Sequence, residues 1–270
     1  MSQIRVAVNG ALGRMGQQVL SAVAAEPDLS LTCAADIKAE KEYVTVQCYE
    51  SQVPLYPDLE TLIKKHHPDV VVDFTVAGAA LSSARLTLEN GSHLVMGTTG
   101  LKEAELKEIG ELAERCKKGA VVAPNFALGA VVMMHLAGLA SRYFGNAEII
   151  ELHHDRKADA PSGTALATAD AMLKARGKPF QYPPTEKETL KGTRGGQKDG
   201  VAIHSVRLPG LVASQEVIFG APGQTLTLRH DTFSRESYMP GVMLAIKEVV
   251  KLRGLVVGLN SLLKLGEDYG

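Results

Sequence analysis

The sequence predicts an α/β protein made of two parts, a parallel-sheet domain and a second α+β domain with a mixed sheet. Over residues 1–126, short apolar runs alternate with helical segments, and this alternation is typical of a parallel sheet with right-handed crossovers. After residue 200, strand-like runs follow one another without helices between them, which indicates a mixed or antiparallel sheet. The character of the sequence changes after Pro124-Asn-Phe126, so we expect the first part to end there.

Predicted strands and helices alternate from the first residues of the chain. The predicted strands of the first part are 4–8, 29–35, 70–74, 94–96 and 120–123. The predicted helices between them are 15–25, 59–66, 79–89 and 102–117. Pro27 and the dipeptide Asn90-Gly91 are the stop signals of the first and third helices.

The second part begins with a long apolar helix at 130–143 and a strand at 147–152. Another helix is predicted at 164–175. Residues 178–200 are rich in Pro, Gly, Lys and Thr, so they are expected to form an exposed loop. Strand-like runs follow at 201–207, 215–219 and 225–230, and a last helix at 243–252.

Composition excludes several classes of protein. The net charge of −1 gives no electrostatic footprint for nucleic acid or for an anionic membrane. No apolar run reaches the roughly 18 residues of a membrane span, and the first residues show no signal-peptide pattern. Cys33, Cys48 and Cys116 are isolated thiols without CxxC spacing. This pattern argues against a disulfide framework or a structural zinc site and favours a location in the reducing cytoplasm.

The first part carries the pattern of a dinucleotide site. In an open parallel sheet, ligands bind beyond the carboxyl ends of the strands. The glycine-rich turn that follows the first strand would let the backbone approach a pyrophosphate. Asp36 ends the second strand, where a carboxylate can accept hydrogen bonds from the ribose hydroxyls. The candidate residues at these strand ends are Gly10, Ala11, Leu12, Gly13, Arg14, Met15, Gly16, Asp36, Lys38, Phe74, Thr75, Gly97, Thr98, Thr99, Pro124, Asn125 and Phe126.

Simpler explanations exist for some of these residues. The spacing is GxxGxxG, a looser relative of GxGxxG, and such a turn can serve only to pack a helix on a strand. The strand before it, the helix after it and the position of Asp36 together favour the cofactor site. Thr98 and Thr99 can be plain turn residues, but their place at a strand end favours a contact with cofactor or substrate.

The segment that begins at Glu151 carries the chemistry. His153, His154 and Lys157 follow a predicted strand, and they offer a proton donor and a positive charge for an anionic small molecule. Neighbouring strand residues point in different directions, and no further ligands at clear metal spacing accompany the two histidines, so no metal site is predicted. The alternatives are histidines that make a structural hydrogen bond or lie at the surface, and a lysine that is a solvated loop cation.

The turn Ser162-Gly163-Thr164 opens the next predicted helix. Its serine is a typical N-cap. The free N–H groups of a helix start also form a carboxylate site, so the two roles are compatible.

These motifs resemble the dihydrodipicolinate reductase family, also called 4-hydroxy-tetrahydrodipicolinate reductases. The most specific part is the long run Glu151-Leu-His-His-Asp-Arg-Lys157 with Ser162-Gly-Thr164. The similarity extends over nearly the whole chain through the motifs Val8-Asn-Gly-Ala-Leu-Gly-Arg-Met-Gly16, Asp73-Phe-Thr75, Gly97-Thr-Thr-Gly100 and Pro124-Asn-Phe126.

The resemblance implies a Rossmann-like dinucleotide-binding domain at 1–126 and 239–270, and a substrate-binding and oligomerisation domain at 127–238 that builds a homotetramer. It implies that NADH or NADPH reduces 4-hydroxy-tetrahydrodipicolinate to tetrahydrodipicolinate in lysine and diaminopimelate biosynthesis. By motif position, the catalytic residues are His153, the proton donor, and Lys157, a substrate contact beside it. Substrate carboxylate would be held by His154, Ser162, Gly163 and Thr164. Thr99 is a further candidate substrate contact because of its place at a strand end.

Two rival functions make different predictions. Another NAD(P)-dependent enzyme would share the first domain but needs another catalytic set, and the chain has neither a Tyr-x-x-x-Lys pair nor a Glu-Lys-Pro motif. A redox-sensing regulator would need a basic DNA-binding helix or would lack the catalytic histidine and lysine. Neither feature is found in the sequence.

Overall fold

The computed structural model describes residues 3–46 and 51–265. The chain divides into two compact units, the first formed by Met1–Ala127 with Tyr238–Gly270 and the second by Leu128–Ser237. The first holds a mostly parallel sheet and the second a mixed sheet, so the predicted α/β class with these two kinds of sheet is confirmed. Cys48 lies outside the described residues.

The first unit is a sheet with helices. Its strands are β1 Ile4–Asn9, β2 Leu29–Ala35, β3 Tyr43–Val46, β4 Ser51–Tyr56, β5 Val70–Asp73, β6 His93–Met96, β7 Gly119–Val122 and β13 Gly254–Val257. Its helices are α1 Arg14–Ala25, α2 Leu59–His66, α3 Ala77–Glu89, α4 Glu103–Cys116 and α7 Met239–Val249.

The strands of this sheet lie in the order β13-β7-β6-β5-β1-β2-β4-β3, and only β3 with β4 pairs antiparallel. The central strands are buried on both faces; in β5 all four residues are buried. This explains their continuous apolar sequences, since helices cover both sides of such a sheet. The carboxyl ends of β1, β2, β5 and β6 therefore share one edge, which is where the candidate cofactor residues lie.

Three strands and one helix boundary of this unit differ from the sequence prediction. Strands β3, β4 and β13 were not predicted. Pro54 interrupts the pattern of β4, and β3 and β13 have only four residues each, too few for a clear periodicity. Helix α7 begins at Met239, four residues before the predicted start, because Pro240 is well accommodated in the first turn of a helix.

The second unit has a five-stranded sheet with two helices. Its elements are α5 Leu128–Ala140, β8 Asn146–His153, α6 Gly163–Arg176, β9 Gly196–Lys198, β10 Val201–Arg207, β11 Ala213–Ala221, β12 Gln224–Thr232 and the 3₁₀ turn Arg235–Tyr238. The sheet order is β12-β11-β8-β10-β9. Strands β8 and β10 pair in parallel, and the other pairs are antiparallel.

The core of this unit lies between one face of the sheet and helices α5 and α6. Ile149, Val217 and Phe219 point into it from the strands and Met172 from α6, and all four are fully buried. The segment 178–200, predicted to be an exposed loop, contributes Phe180 to the same core and forms β9. The Phe180 amide is bonded to the Asp199 carbonyl, so part of this segment is fixed by packing.

Candidate active site

The glycine turn after β1 is shaped by backbone contacts that only glycine permits. Gly10 has φ +78°, and a Cβ there would lie 2.9 Å from the Phe74 carbonyl oxygen. A Cβ on Gly16 would lie 2.1 Å from the Gly10 carbonyl oxygen. Gly13 is the N-cap of α1 and brings no capping side chain. The first-turn N–H groups of α1 have no acceptor within the helix, so this turn suits a phosphate.

The side chains of this turn differ in exposure. Ala11 is buried, Met15 is half-buried, and Leu12 and Arg14 are exposed. The Leu12 amide donates to Oδ2 of Asp36 at 2.9 Å. This hydrogen bond ties the turn to the end of β2 and brings Asp36 beside the glycines, as the sequence predicts for a ribose-binding carboxylate.

Asp36 lies at the wall of a cavity of about 410 Å³, together with Gly10, Gly13, Ile37 and Thr75. Its second oxygen, Oδ1, accepts the Lys38 amide at 2.9 Å. Each carboxylate oxygen has two lone pairs, so both can accept one more hydrogen bond from a ligand. Lys38 is exposed, and Ile37 is 90% exposed at the cavity rim.

Phe74, Gly97 and Phe126 pack together at the ends of β5, β6 and β7. A Cβ on Gly97 would overlap the Phe74 ring at 2.0 Å, and the rings of Phe74 and Phe126 lie 5.7 Å apart. Phe126 is 2% exposed, so its side chain is a packing residue. Pro124 is exposed, and the Asn125 side chain accepts the amide two residues later, at 127.

A buried acid, Asp73, holds Thr75, and Thr75 in turn binds Thr98. The Asp73 carboxylate accepts hydrogen bonds from the Thr75 amide at 2.9 Å and from its hydroxyl at 2.7 Å. It also accepts from Asn9 and Ser83. The Thr98 hydroxyl donates to the Thr75 carbonyl at 3.2 Å, whereas Thr99 is exposed. Of the neighbours Thr98 and Thr99, only Thr99 therefore presents an exposed side chain.

His153 ends β8 and contacts a buried acid on the same strand. Its Nδ1 lies 2.5 Å from Oε2 of Glu151, which is fully buried. Residues two apart on a strand share a face, and this explains the contact. The Glu151 carboxylate also receives Arg207 of β10 in a bidentate pair, at 2.7 and 2.8 Å. The Ser162 amide donates to its Oε1 at 3.2 Å.

These contacts set the protonation of both side chains. Burial by itself would raise the pKa of Glu151, but the hydrogen bonds from Arg207, Ser205 and His153 outweigh it and hold that pKa below its usual value. Burial lowers the pKa of His153, and Lys157 and Arg207 lower it further, against the raising effect of Glu151. Near neutral pH the pair therefore contains a carboxylate and a mostly neutral imidazole.

Lys157 and His154 lie in the loop after β8. The Lys157 ammonium lies 2.7 Å from Oδ1 of Asp159, and its side chain is 21% exposed. This pairing lowers the pKa of Asp159. His154 is half-buried, and its Nδ1 is buried without a hydrogen-bond partner in the described part of the chain. A buried ring nitrogen without a partner is unfavourable.

Ser162, Gly163 and Thr164 form the start of α6. Ser162 is the N-cap, and its hydroxyl accepts the Ala165 amide at 3.1 Å. A Cβ built on Gly163 would meet open space, so the first turn is open at this point. Thr164 is half-buried and its carbonyl accepts the Thr168 hydroxyl. The predicted cap is thus confirmed, and the remaining first-turn amides suit an anion.

The structure brings together His153, Ser162 and the buried acid, and it adds two residues that the sequence analysis left without a role. These are Glu151 and Arg207. The Glu-x-His spacing on a strand was a usable signal for Glu151, because both side chains share one face. Arg207 lies 56 residues further along, and only the parallel pairing of β8 with β10, which puts Arg207 opposite His153, brings it to the site.

The described residues show neither a metal-ligand cluster nor a membrane-spanning helix. Residues 3–46 and 51–265 hold no group of three or more His, Cys, Asp or Glu side chains that suits a metal ion. No helix within these residues is long and apolar enough to cross a membrane.

Comparisons with known proteins agree over the whole length of the chain. Residues 4–126 match the family model of the dihydrodipicolinate reductase N-terminus, and residues 129–263 match that of its C-terminus. A relative from Dehalococcoides mccartyi, named 4-hydroxy-tetrahydrodipicolinate reductase, is 52% identical over 98% of this chain and 100% of its own length. A relative of the same name from Moorella thermoacetica is 49% identical over 98% and 99%.

A solved structure gives the same answer at the level of the fold. Dipicolinate-bound dihydrodipicolinate reductase from Paenisporosarcina sp. TG-14 superimposes with a TM-score of 0.85 at 44% identity, covering 96% of this chain and 99% of that one. The sequence matches and this superposition rest on both units. The chain therefore belongs to the dihydrodipicolinate reductase family and is an oxidoreductase with a nicotinamide cofactor.

Proposed function

We propose that this chain uses NADH or NADPH to reduce 4-hydroxy-tetrahydrodipicolinate to tetrahydrodipicolinate, as a step of lysine and diaminopimelate biosynthesis. The observation that carries the proposal is the contact of His153 with buried Glu151, next to the open start of α6. It combines a titratable proton donor with an anion site. The bound dipicolinate of the solved relative is a cyclic dicarboxylate, and the substrate we propose has the same chemistry.

The cofactor would be held by the turn of the first unit. Gly10, Gly13 and the first turn of α1 offer backbone N–H groups to a pyrophosphate, and Asp36 offers carboxylate oxygens to a ribose. The cavity of about 410 Å³ beside Asp36 has room for the adenosine end. When bound, the nicotinamide would supply the hydride: once the 4-hydroxyl group has left the ring as water, the conjugated dihydrodipicolinate takes up this hydride and a proton to give tetrahydrodipicolinate.

Asp36 favours NADH over NADPH. Its carboxylate accepts from ribose hydroxyls but repels a 2′-phosphate. Ile37 at the cavity rim brings no compensating charge, whereas the exposed cations Arg14 and Lys38 reduce the repulsion. We expect both cofactors to be used, with a lower KM for NADH. Asp36→Ala should raise the KM for NADH and narrow the gap to NADPH; an equal loss for both cofactors would contradict the assignment.

His153 would supply the proton that the reduced ring requires. The Glu151 carboxylate has no proton of its own, so it accepts from Nδ1 of His153 and leaves Nε2 as the atom that carries the transferable proton. The resting imidazole is mostly neutral, because burial lowers its pKa. Two substrate carboxylates close by would favour the protonated form, so the donor is charged when the substrate is in place.

Lys157, His154 and the start of α6 would hold the carboxylates. Lys157 can exchange its exposed partner Asp159 for a substrate oxygen. The Gly163 and Thr164 amides face an open first turn, and His154 has a ring nitrogen in need of a partner. Thr99 would be a further contact, as its exposed place at the end of a strand favours. Holding the ring at both carboxylates would orient the reacting carbon.

We also propose that the protein is a cytoplasmic homotetramer built through the second unit. Helices α5 and α6 pack on one face of its sheet. The opposite face carries half-buried apolar side chains from three strands, and a second copy could cover them. These are Ile150, Leu152, Val206 and Ile218. Cys33 and Cys116 are free thiols, which fits a reducing compartment. Light scattering should give a mass of about four chains.

The activity is tested directly by the loss of absorbance at 340 nm when the protein meets NADH and the cyclic imine. We expect stoichiometric oxidation of NADH, and a sugar or an amino-acid semialdehyde should give none. Oxidation with those compounds and not with the imine would support a different NAD(P)-dependent enzyme. No oxidation with any of them would support a non-catalytic sensor.

A further inference from the structure

The Glu151 carboxylate connects three parts of the second unit. It is fully buried and accepts hydrogen bonds from the His153 imidazole, from both Nη atoms of Arg207, from the Ser205 side chain and from the Ser162 amide. Arg207 also donates to the Asp159 carbonyl at 2.8 Å. One carboxylate thus ties together the end of β8, the start of α6 and the end of β10, and Arg207 adds the loop that carries Lys157.

The partners of Glu151 decide which nitrogen of His153 holds the proton. Arg207 is always charged and gives two N–H groups to the carboxylate, so the carboxylate is ionised and only accepts. Nδ1 of His153 must then be the donor at 2.5 Å. The neutral ring consequently has its lone pair on Nε2, and a proton gained by the ring is placed on Nε2.

We propose that Glu151 is the positioning residue of the reaction: it fixes the tautomer and ring orientation of His153 and joins that proton donor to the anion-binding start of α6, while Arg207 keeps it ionised. This inference rests on the proposed function, in which His153 gives the proton. Glu151 itself touches no substrate atom in this scheme. Its effect passes through the His153 imidazole and the Ser162 amide.

The simplest alternative is an ion pair that only stabilises the fold. Buried Glu–Arg pairs occur in proteins without any role in catalysis. Well-packed apolar residues of similar volume often stabilise the fold as well as such a pair does. The ring nitrogen of His153 that carries the proton distinguishes the two possibilities. If the pair were purely structural, replacing Glu151 would not change the tautomer of His153. The charged groups that face His153 are Glu151 on its own strand, Arg207 on the neighbouring strand and Lys157 in the following loop.

The test uses the full-length protein with ¹⁵N-labelled histidines and the variant Glu151→Gln. The single oxygen of the glutamine has to serve both Arg207 and His153. We expect Arg207 to take it, so that the amide group faces Nδ1 and the ring changes to the Nε2–H tautomer. The His153 signals, assigned with His153→Gln, should show this change, and the ring should titrate at lower pH because a negative charge is lost.

The same variant should lower kcat at least tenfold, since a misoriented acid loses part of its usual effect of ~10²–10⁴-fold. The KM for NADH should stay the same. The falling limb of the kcat–pH profile should move to lower pH together with the titration. A purely structural role of Glu151 would leave the tautomer and this limb in place.

Two further variants provide a replacement if Glu151→Gln does not fold and a matched control. Glu151→Met with Arg207→Met removes both charges together, so it avoids a buried unpaired arginine if Glu151→Gln does not fold; it also offers no acceptor to Nδ1, and the Nδ1–H tautomer should be lost. Glu148→Gln is the matched control, because Glu148 lies on the opposite face of β8 beside another histidine. It should leave the His153 signals and kcat unchanged, with an unaltered mass in light scattering.

Unchanged His153 signals in Glu151→Gln would overturn the proposal, and so would a kcat within twofold of the wild type. The spectra do not depend on any substrate. If the imine is not reduced but the tautomer changes, the proposed function fails and the role of Glu151 in fixing His153 stands. If the imine is reduced and the tautomer does not change, the positioning role fails and the proposed function stands.

Discussion

Strand β8 carries two clusters of the same composition on its opposite faces. In the first, which we call the inner cluster, Glu151 binds His153 and Arg207. In the second, the outer cluster, Glu148 contacts Arg194 at 2.9 Å and His204 at 2.8 Å.

The clusters differ in burial and in surroundings. The Glu151 side chain has no exposed surface and that of His153 is 15% exposed, whereas Glu148 is 37% and His204 26% exposed. The inner cluster also includes the Ser162 amide, at the start of a helix. Within the single chain, the same three residue types therefore form a partly exposed ion-pair network on one face and, on the other, a buried carboxylate that contacts a histidine next to the start of α6.

The largest expected effect separates the two histidines. His153→Gln keeps the bulk and the hydrogen bonding of the side chain but cannot deliver a proton near neutral pH, so kcat should fall by ~10²–10⁴-fold with an unchanged KM for NADH. His204→Gln, in the outer cluster, should stay within about twofold of the wild-type kcat in the same steady-state assay. Comparable losses in both variants would remove the distinction between the clusters.

The two glutamates should differ in their effect on folding. Glu151→Ala leaves the Arg207 guanidinium in a mostly buried place without its carboxylate, which should cost about 3 kcal/mol of unfolding free energy. Glu148→Ala breaks partly exposed contacts and should cost no more than about 1 kcal/mol. Urea unfolding followed by circular dichroism measures both. Equal losses of unfolding free energy would show that the burial of Glu151 does not make its contacts more important for stability than those of Glu148.

Lys157 and Asp159 extend the inner cluster toward the substrate. Lys157→Ala removes a charge beside a dicarboxylate, so kcat/KM should fall about 10–100-fold through both constants. Asp159→Asn removes the competing partner of Lys157, and the KM for the imine should fall by no more than about fivefold. A higher KM in Asp159→Asn would mean that Asp159 places the lysine for binding.

Gly163 tests the anion site with the smallest change. A Cβ at this position meets open space in the protein, so Gly163→Ala should not lower the melting temperature. It would, however, stand close to a carboxylate held by the first-turn amides. The KM for the imine should rise roughly twofold to fivefold, which corresponds to about 0.5–1 kcal/mol. An unchanged KM would place the carboxylate elsewhere, away from this turn.

Local patterns were enough to predict most of the helices and strands, whereas the contacts between distant residues depend on long-range pairing. The glycine turn, Asp36 and the N-cap Ser162 each depend on a few neighbouring residues, so the sequence shows them. Strand β4 was missed because Pro54 argues against a strand. Arg207 was missed because only strand pairing between β8 and β10 brings it to Glu151. The buried fraction of each cluster likewise follows from tertiary packing.

The central claim is that His153, held by Glu151, gives the proton, and the dependence of kcat on pH tests it most directly. Protonated His153 is the donor, and its pKa in the enzyme–substrate complex is set by burial, which lowers it, and by the substrate carboxylates, which raise it. The wild-type kcat should therefore fall as pH rises through that pKa, and His153→Gln should be slow and lack this falling limb. A His153→Gln profile that keeps the wild-type limb at the same midpoint would show that another group donates the proton and would contradict the account.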